Sequence, residues 1–169
     1  MGLVAGVLSI HRLEVRSAVT ETVGDRAVEV WGVTPQYGDP PAADRLREDI
    51  RRALAGQLDV SARVRARDEA AARPDAPKPV PARVEIIEGA SSRATVLEVR
   101  AHDAPGLLHR VGGAIAGTGT DITAARVSTL GSEVVDVFFL VDRRGEPLAL
   151  DLAQAVAEAV AESLAESAD

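Results

Sequence analysis

The residues whose types and spacing suit chemistry lie in one short run, Asp103-Ala104-Pro105-Gly106-Leu107-Leu108, between a β-branched stretch and an apolar helical stripe. Open amides at a helix N-terminus, at the positive end of the helix dipole, favour a carboxylate. Gly106 lets a ligand come close to the backbone. Asp121, with Ile122 beside it, opens the next expected strand and is an acceptor for an α-amino group. Together they read as a site for both ends of a free amino acid. The candidate ligand-binding residues are therefore Asp103, Ala104, Pro105, Gly106, Leu107, Leu108, Asp121 and Ile122. A plainer role stands beside this one, in which Asp103 caps the helix and Pro105–Gly106 only shapes the turn.

Other chemistry finds little support. The absence of cysteine removes disulfides, thiolate nucleophiles and cysteine-based zinc sites. His102–Asp103 is a lone pair in a chain of three histidines, whereas a metal site needs several converging ligands. His11 reads as a surface or capping residue, and His109, beside Arg110, as a solvated one or one that reaches the ligand loop. Ser91 and Ser92 have no activating context, so neither a catalytic residue, a metal nor a cofactor is expected, and the chain does not read as an enzyme. A formal charge of −7 and only 2% aromatic residues argue against nucleic acid, which needs clustered cations and stacking rings. Arg45, Arg47, Arg51 and Arg52 alternate with Asp44, Glu48 and Asp49, the pattern of a solvated helix face. No stretch approaches the ~20 apolar residues of a membrane span, and the first twelve residues lack a basic leader. A cytoplasmic location is expected.

The elements that must hold the run in place can be read around it. Residues 94–101 have the β-branched content of a strand; Leu107, Leu108, Val111 and Ile115 form a helical stripe stopped by Gly117 and Gly119. Residues 122–130 and 134–141 are strands joined by a hairpin at Gly131–Ser132, and the second is apolar enough to be buried on both faces. A helix over 150–164 follows. Strand, helix, strand, strand, helix is the split ferredoxin-like arrangement with its last strand missing. Residues 82–88, which precede the unit, are expected to fill that position.

The chain also repeats itself. Val4 falls on Val111, residues 22–24 fall on 129–131, and Val28-Glu29-Val30-Trp31 falls on Val135-Asp136-Val137-Phe138, a constant offset of 107 positions. After a one-residue slip, Leu46, Ile50, Leu54 and Leu58 fall on Leu152, Val156, Val160 and Leu164, each set an apolar helical stripe. Trp31 and Phe138 are expected to pack in equivalent places. The expectation is a first module at 1–72, a proline-rich linker at 73–81 and a second module at 82–169. Just before the linker, residues 58–67 show conflicting signals, with helix favoured slightly. The first module lacks its opening strand and its counterpart of 103–108. Either the chain is part of a longer protein or a partner subunit supplies the strand, and an open sheet edge makes a homodimer through sheet or helix pairing the expectation.

Asp103-x-Pro105-Gly106-Leu107-Leu108, a glycine-ended helix, Asp121–Ile122 and an apolar hairpin resemble an ACT domain. Residues 7–18, 94–100 with 105–112, and 125–131 with 134–138 resemble more closely the C-terminal tandem ACT region of bifunctional uridylyltransferase/uridylyl-removing enzymes, which modify the nitrogen-signalling protein PII. The resemblance implies an α+β fold of two tandem ferredoxin-like (βαββαβ-type) ACT modules, the first truncated at its N-terminus. It implies an amino-acid sensor, with glutamine as the signal. The catalytic signatures of that family are missing, since no Asp-x-Asp occurs. The contrasting reading is a ligand-free ACT module that serves only in structure or oligomerisation.

Overall fold

β-Branched residues at alternate positions commit six segments to strands, and four-residue apolar spacing in alanine-rich sequence commits five others to helices. The computed structural model describes residues 1–24, 26–71 and 81–165. In chain order the elements are α1 (Gly2–Ile10), β1 (Leu13–Val23), β2 (Arg26–Pro35), α2 (Ala43–Leu54), α3 (Val60–Ala71), β3 (Arg83–Ile86), β4 (Thr95–His102), α4 (Leu107–Gly117), β5 (Asp121–Leu130), β6 (Glu133–Val141) and α5 (Leu150–Ala165). The expected linker at 73–81 lies outside the described residues except for Pro81, which precedes β3.

All six strands join one antiparallel sheet in the order β2-β1-β5-β6-β4-β3. β3 pairs with β4 at the outer edge, the position reasoned for the extra strand. The fold is α+β, as the element order suggested.

The repeat is written into the hydrogen-bond register. In the first hairpin Val19 faces Val30; in the second their equivalents Arg126 and Val137 face each other. The first ladder shifts register between Val15 and Ser17, the second between Ile122 and Ala124, the same place 107 positions on. Where the hairpins meet, Val19 faces Arg126, its own equivalent, while Ser17 faces Ser128 and Glu21 faces Ala124. The β1–β5 seam is therefore a local pseudo-twofold axis. Arg12 (φ 58) and Gly119 (φ 74) occupy the same left-handed position after the two equivalent helices.

The principal core runs across the two repeats. Ala5 and Ala18 of the first pack with Leu97, Val111, Ile115, Phe138, Val156 and Val160 of the second. A smaller cluster of Val7, Ala53, Leu58, Val60 and Val64 holds α1, α2 and α3 together. α1 and α4 approach closely enough that a Cβ on Gly112 would lie 2.8 Å from the Gly2 Cα.

Two expectations need correction. β6 is buried on one face only: Val134, Asp136, Phe138 and Leu140 are covered, whereas the residues between them are half-buried. Among the described residues, the helix side chains of the principal core pack with Phe138 and Leu140, on the covered side of β6. Leu54 is 66% exposed and ends α2, and Leu58 lies beyond that helix. The four-residue spacing runs ahead of the helical period, and the turn at Gly56 redirects the chain into α3 before Leu58 can extend the stripe. Residues 58–67 conform to the helical alternative, most of them lying in α3.

Candidate functional site

Loop 103–108 is fixed from both ends. The Asp103 amide donates to the Ser132 carbonyl of the β5–β6 turn at 2.8 Å, and Leu107 and Leu108 are buried as α4 begins. Gly106 has φ +73, in the left-handed region, and a Cβ there would come within 2.1 Å of the Val64 side chain on α3. Glycine is required twice over, for the turn and for the approach of α3. Asp103 makes no side-chain cap on α4.

This loop forms one wall of a cavity of about 240 Å³ between the two repeats. Asp103, Ala104, Pro105, Gly106, Leu107 and Leu108 all line it. The opposite wall comes from the first repeat: Ser9 of α1, Glu14 and Val15 of β1, Gln36 after β2, and Arg67 of α3. Val127, Thr129, Val134 and Asp136 form the floor. Thr129 Oγ1 donates to the Val15 carbonyl at 3.0 Å and ties floor to wall.

Asp121 and Ile122 do not reach this cavity. They start β5, where Asp121 faces Val141 at the far end of the sheet. The cavity instead holds Glu14 and Val15, their equivalents 107 positions earlier. The cause is the antiparallel seam. β1 and β5 cross at Val19 and Arg126, so the start of one strand lies beside the end of the other.

The cavity's electrostatics are mixed. Burial pulls the Arg67 guanidinium below its ordinary value, with Arg12 adding to this; it donates to Ser9 Oγ at 3.2 Å and to Gln36 Oε1. Burial raises the Asp103 carboxyl, and neighbouring Glu14 raises it further. Asp136 is wholly buried and raised to about 7, burial being the main cause. Glu14 pairs with Arg16 at the rim. His109, read from sequence as solvated or reaching the ligand loop, lines the cavity and bridges helices: Nδ1 lies 2.8 Å from the Gly2 carbonyl oxygen and Nε2 3.1 Å from Ser61 Oγ. His11 lies 2.9 Å from Asp49 Oδ2 and ties the end of α1 to α2. Among the described residues no group of three or more histidine, aspartate or glutamate side chains is arranged to hold a metal, and no helix is long and apolar enough to cross a membrane.

Sequence reasoning missed Glu14, Val15, Arg67 and Asp136. The first two were legible as repeat equivalents of Asp121 and Ile122. Asp136 carried a signal too, as an acid inside an apolar strand. Arg67 had none, because α3 has no counterpart after α5 among the described residues.

Residues 95–158 match the ACT domain family model. The chain is 46% identical over 160 residues to the bifunctional uridylyltransferase/uridylyl-removing enzyme of Streptomyces coelicolor, covering 90% of this chain and 19% of that protein. It is 34% identical over 165 residues to the enzyme of the same name from Mycobacterium tuberculosis (90% and 20%) and 33% identical over 148 residues to that of Gluconobacter oxydans (84% and 16%). The chain thus spans about a fifth of the length of these curated relatives. What it shares with them is an ACT-bearing region and not their catalytic part. On its strand order, its glycine-shaped loop and these matches, the second repeat carries an ACT domain at residues 95–158.

Proposed function

We propose that the chain is a regulatory amino-acid-binding module, with glutamine as its signal, of a nitrogen-regulation protein similar to the PII uridylyltransferases. The cavity between loop 103–108 and the first repeat carries this reading, because its walls suit both ends of an amino acid. Arg67 and the amides of Gly106 and Leu108, those of Asp103 and Leu107 being engaged with the Ser132 and Ala104 carbonyls, are matched to a carboxylate, and Asp103, Glu14 and Asp136 to an ammonium. At about 30 Å³ per water the space corresponds to about eight waters, the scale of one small amino acid. Regulation would work by linkage: a ligand that favours one arrangement of the two repeats shifts whatever is attached to them by that difference in affinity. The two units of the reading are residues 1–72 and 82–169, and a nitrogen-sensing role goes with a cytoplasmic location.

One observation favours the association reading alongside it. Among the described residues β2 pairs only with β1, and Val28 and Val30 on it are 50% and 67% exposed. Such an edge and face suit a homodimer. A thermal-shift screen against the twenty amino acids separates the two readings. Glutamine at ~100 times its dissociation constant is expected to add about 2.7 kcal/mol of stability. A stable dimer that responds to none of the twenty favours association alone.

A further inference from the structure

Asp136 occupies the middle of β6 on its covered side and is 0% exposed. Its Oδ1 accepts one long hydrogen bond, 3.4 Å, from the Ser128 amide, and its Oδ2 is buried without a hydrogen-bond partner among the described residues. An ionised carboxylate has about four acceptor sites, and leaving one oxygen dry and unpaired is unfavourable. The residue also lines the cavity.

The first repeat contains the same position with its need met. Glu29, the equivalent of Asp136, accepts from the indole Nε1 of Trp31 at 3.2 Å. In the second repeat Phe138 stands where Trp31 stands, and a phenyl ring has no donor to give. At the copy that faces the cavity the acid stands without an indole donor and without the Met1 α-ammonium that pairs with Glu29 at 2.8 Å.

The charged groups lining the cavity with Asp136 do not fill the gap. Asp103 from the loop and Glu14 from β1 are themselves acids. Arg67 from α3 is engaged with Ser9 and Gln36, and both ring nitrogens of His109 from α4 are engaged with Gly2 and Ser61. With three carboxyls around one space, the missing donor should be cationic.

We infer that Asp136 is the specificity-determining acceptor of the cavity: its Oδ2 takes an N–H from a ligand's ammonium group, so the cavity admits amines and rejects the same carbon skeleton without one. This deepens the proposed function and rests on it. Burial holds a proton on Asp136 up to about pH 7. An arriving ammonium displaces that proton, so affinity for the amine rises with pH through that value.

The test is isothermal titration of the 169-residue chain with L-glutamine and with glutaramate, the same skeleton lacking the amine, on native protein and on Asp136→Asn. Asparagine keeps the shape and the Ser128 contact but cannot carry the charge. At pH 8 the native chain is expected to prefer glutamine by 30-fold or more, and the variant by less than threefold. Native affinity for glutamine is expected to rise about tenfold between pH 6 and pH 8, and the variant's to stay level. A variant that keeps the native preference overturns the assignment of Asp136 alone. A native chain that binds no amino acid overturns it together with the proposed function. Should Asp136→Asn fail to fold, the native pH series decides, because level affinity from pH 6 to pH 8 contradicts the inference.

Discussion

At matching positions of the repeat, Phe138 is wholly buried and Trp31 only partly so; Asp136 is sealed and Glu29 half-buried. The backbone does not differ in the same way, since hairpin register, ladder irregularity and the left-handed residue after the helix all coincide. One backbone plan therefore carries two different interiors. The second repeat has helices α4 and α5 over its strands and holds most of the principal core. The first supplies a partly covered hairpin, and α2 and α3 pack with α1 into a small cluster of their own. What the repeats share fixes where side chains point, and what they do not share fixes which of those side chains meet water or a ligand.

That contrast can be broken most forcefully in the cores. Phe138→Ala is expected to cost about 3–5 kcal/mol in urea denaturation, and Trp31→Ala less than about half of that. Equal losses would mean that the two interiors are not different in kind.

The acids come next. Asp136 has a folded-state value of about 7 against an ordinary 3.8, so the folded chain holds that proton more tightly than the unfolded one. The stabilisation is fully present below about pH 4 and is lost as pH rises through 7. The native chain should lose on the order of 4 kcal/mol across that window, and Asp136→Asn should flatten this part of the profile. Urea denaturation at successive pH values would show it, and a profile unchanged by the substitution would remove Asp136 as its source.

Smaller effects belong to the paired helices. A Cβ on Gly6 would meet Val60 at 2.3 Å and His109 at 2.8 Å, whereas one on its equivalent Gly113 meets nothing within 4 Å. Gly6→Ala should cost about 1–3 kcal/mol, and Gly113→Ala should gain about 0.5–1 kcal/mol from reduced unfolded-state freedom. Thermal melts of the two variants should therefore move in opposite directions. Arg12 adopts the left-handed conformation that glycine provides at its equivalent, 119. Arg12→Gly should therefore be neutral or stabilising by up to about 1 kcal/mol, the smallest change of the series.

Much of this was legible beforehand, and the limits have physical causes. The second repeat's elements, the edge position of β3 and the loop at 103–108 follow from local patterns of β-branching, helical spacing and turn residues. The partner wall of the cavity depends on how two distant strands cross, which local pattern does not encode. The offset of 107 did encode it, because a repeat that pairs with itself about a twofold must bring Glu14, not Asp121, to the loop at Asp103. Nothing local announced Arg67. It reaches the cavity because α3 packs Val64 on Gly106, a contact between residues 42 positions apart in sequence.

Backbone amide chemical shifts during a glutamine titration test most directly whether one site is shared between the repeats. Gly106, Glu14 and Val15 are expected to shift together and saturate with one dissociation constant, while Asp121 and Ile122 stay still. Movement at Asp121 and Ile122 with Glu14 and Val15 silent, or no movement with any of the twenty amino acids, would contradict a shared site.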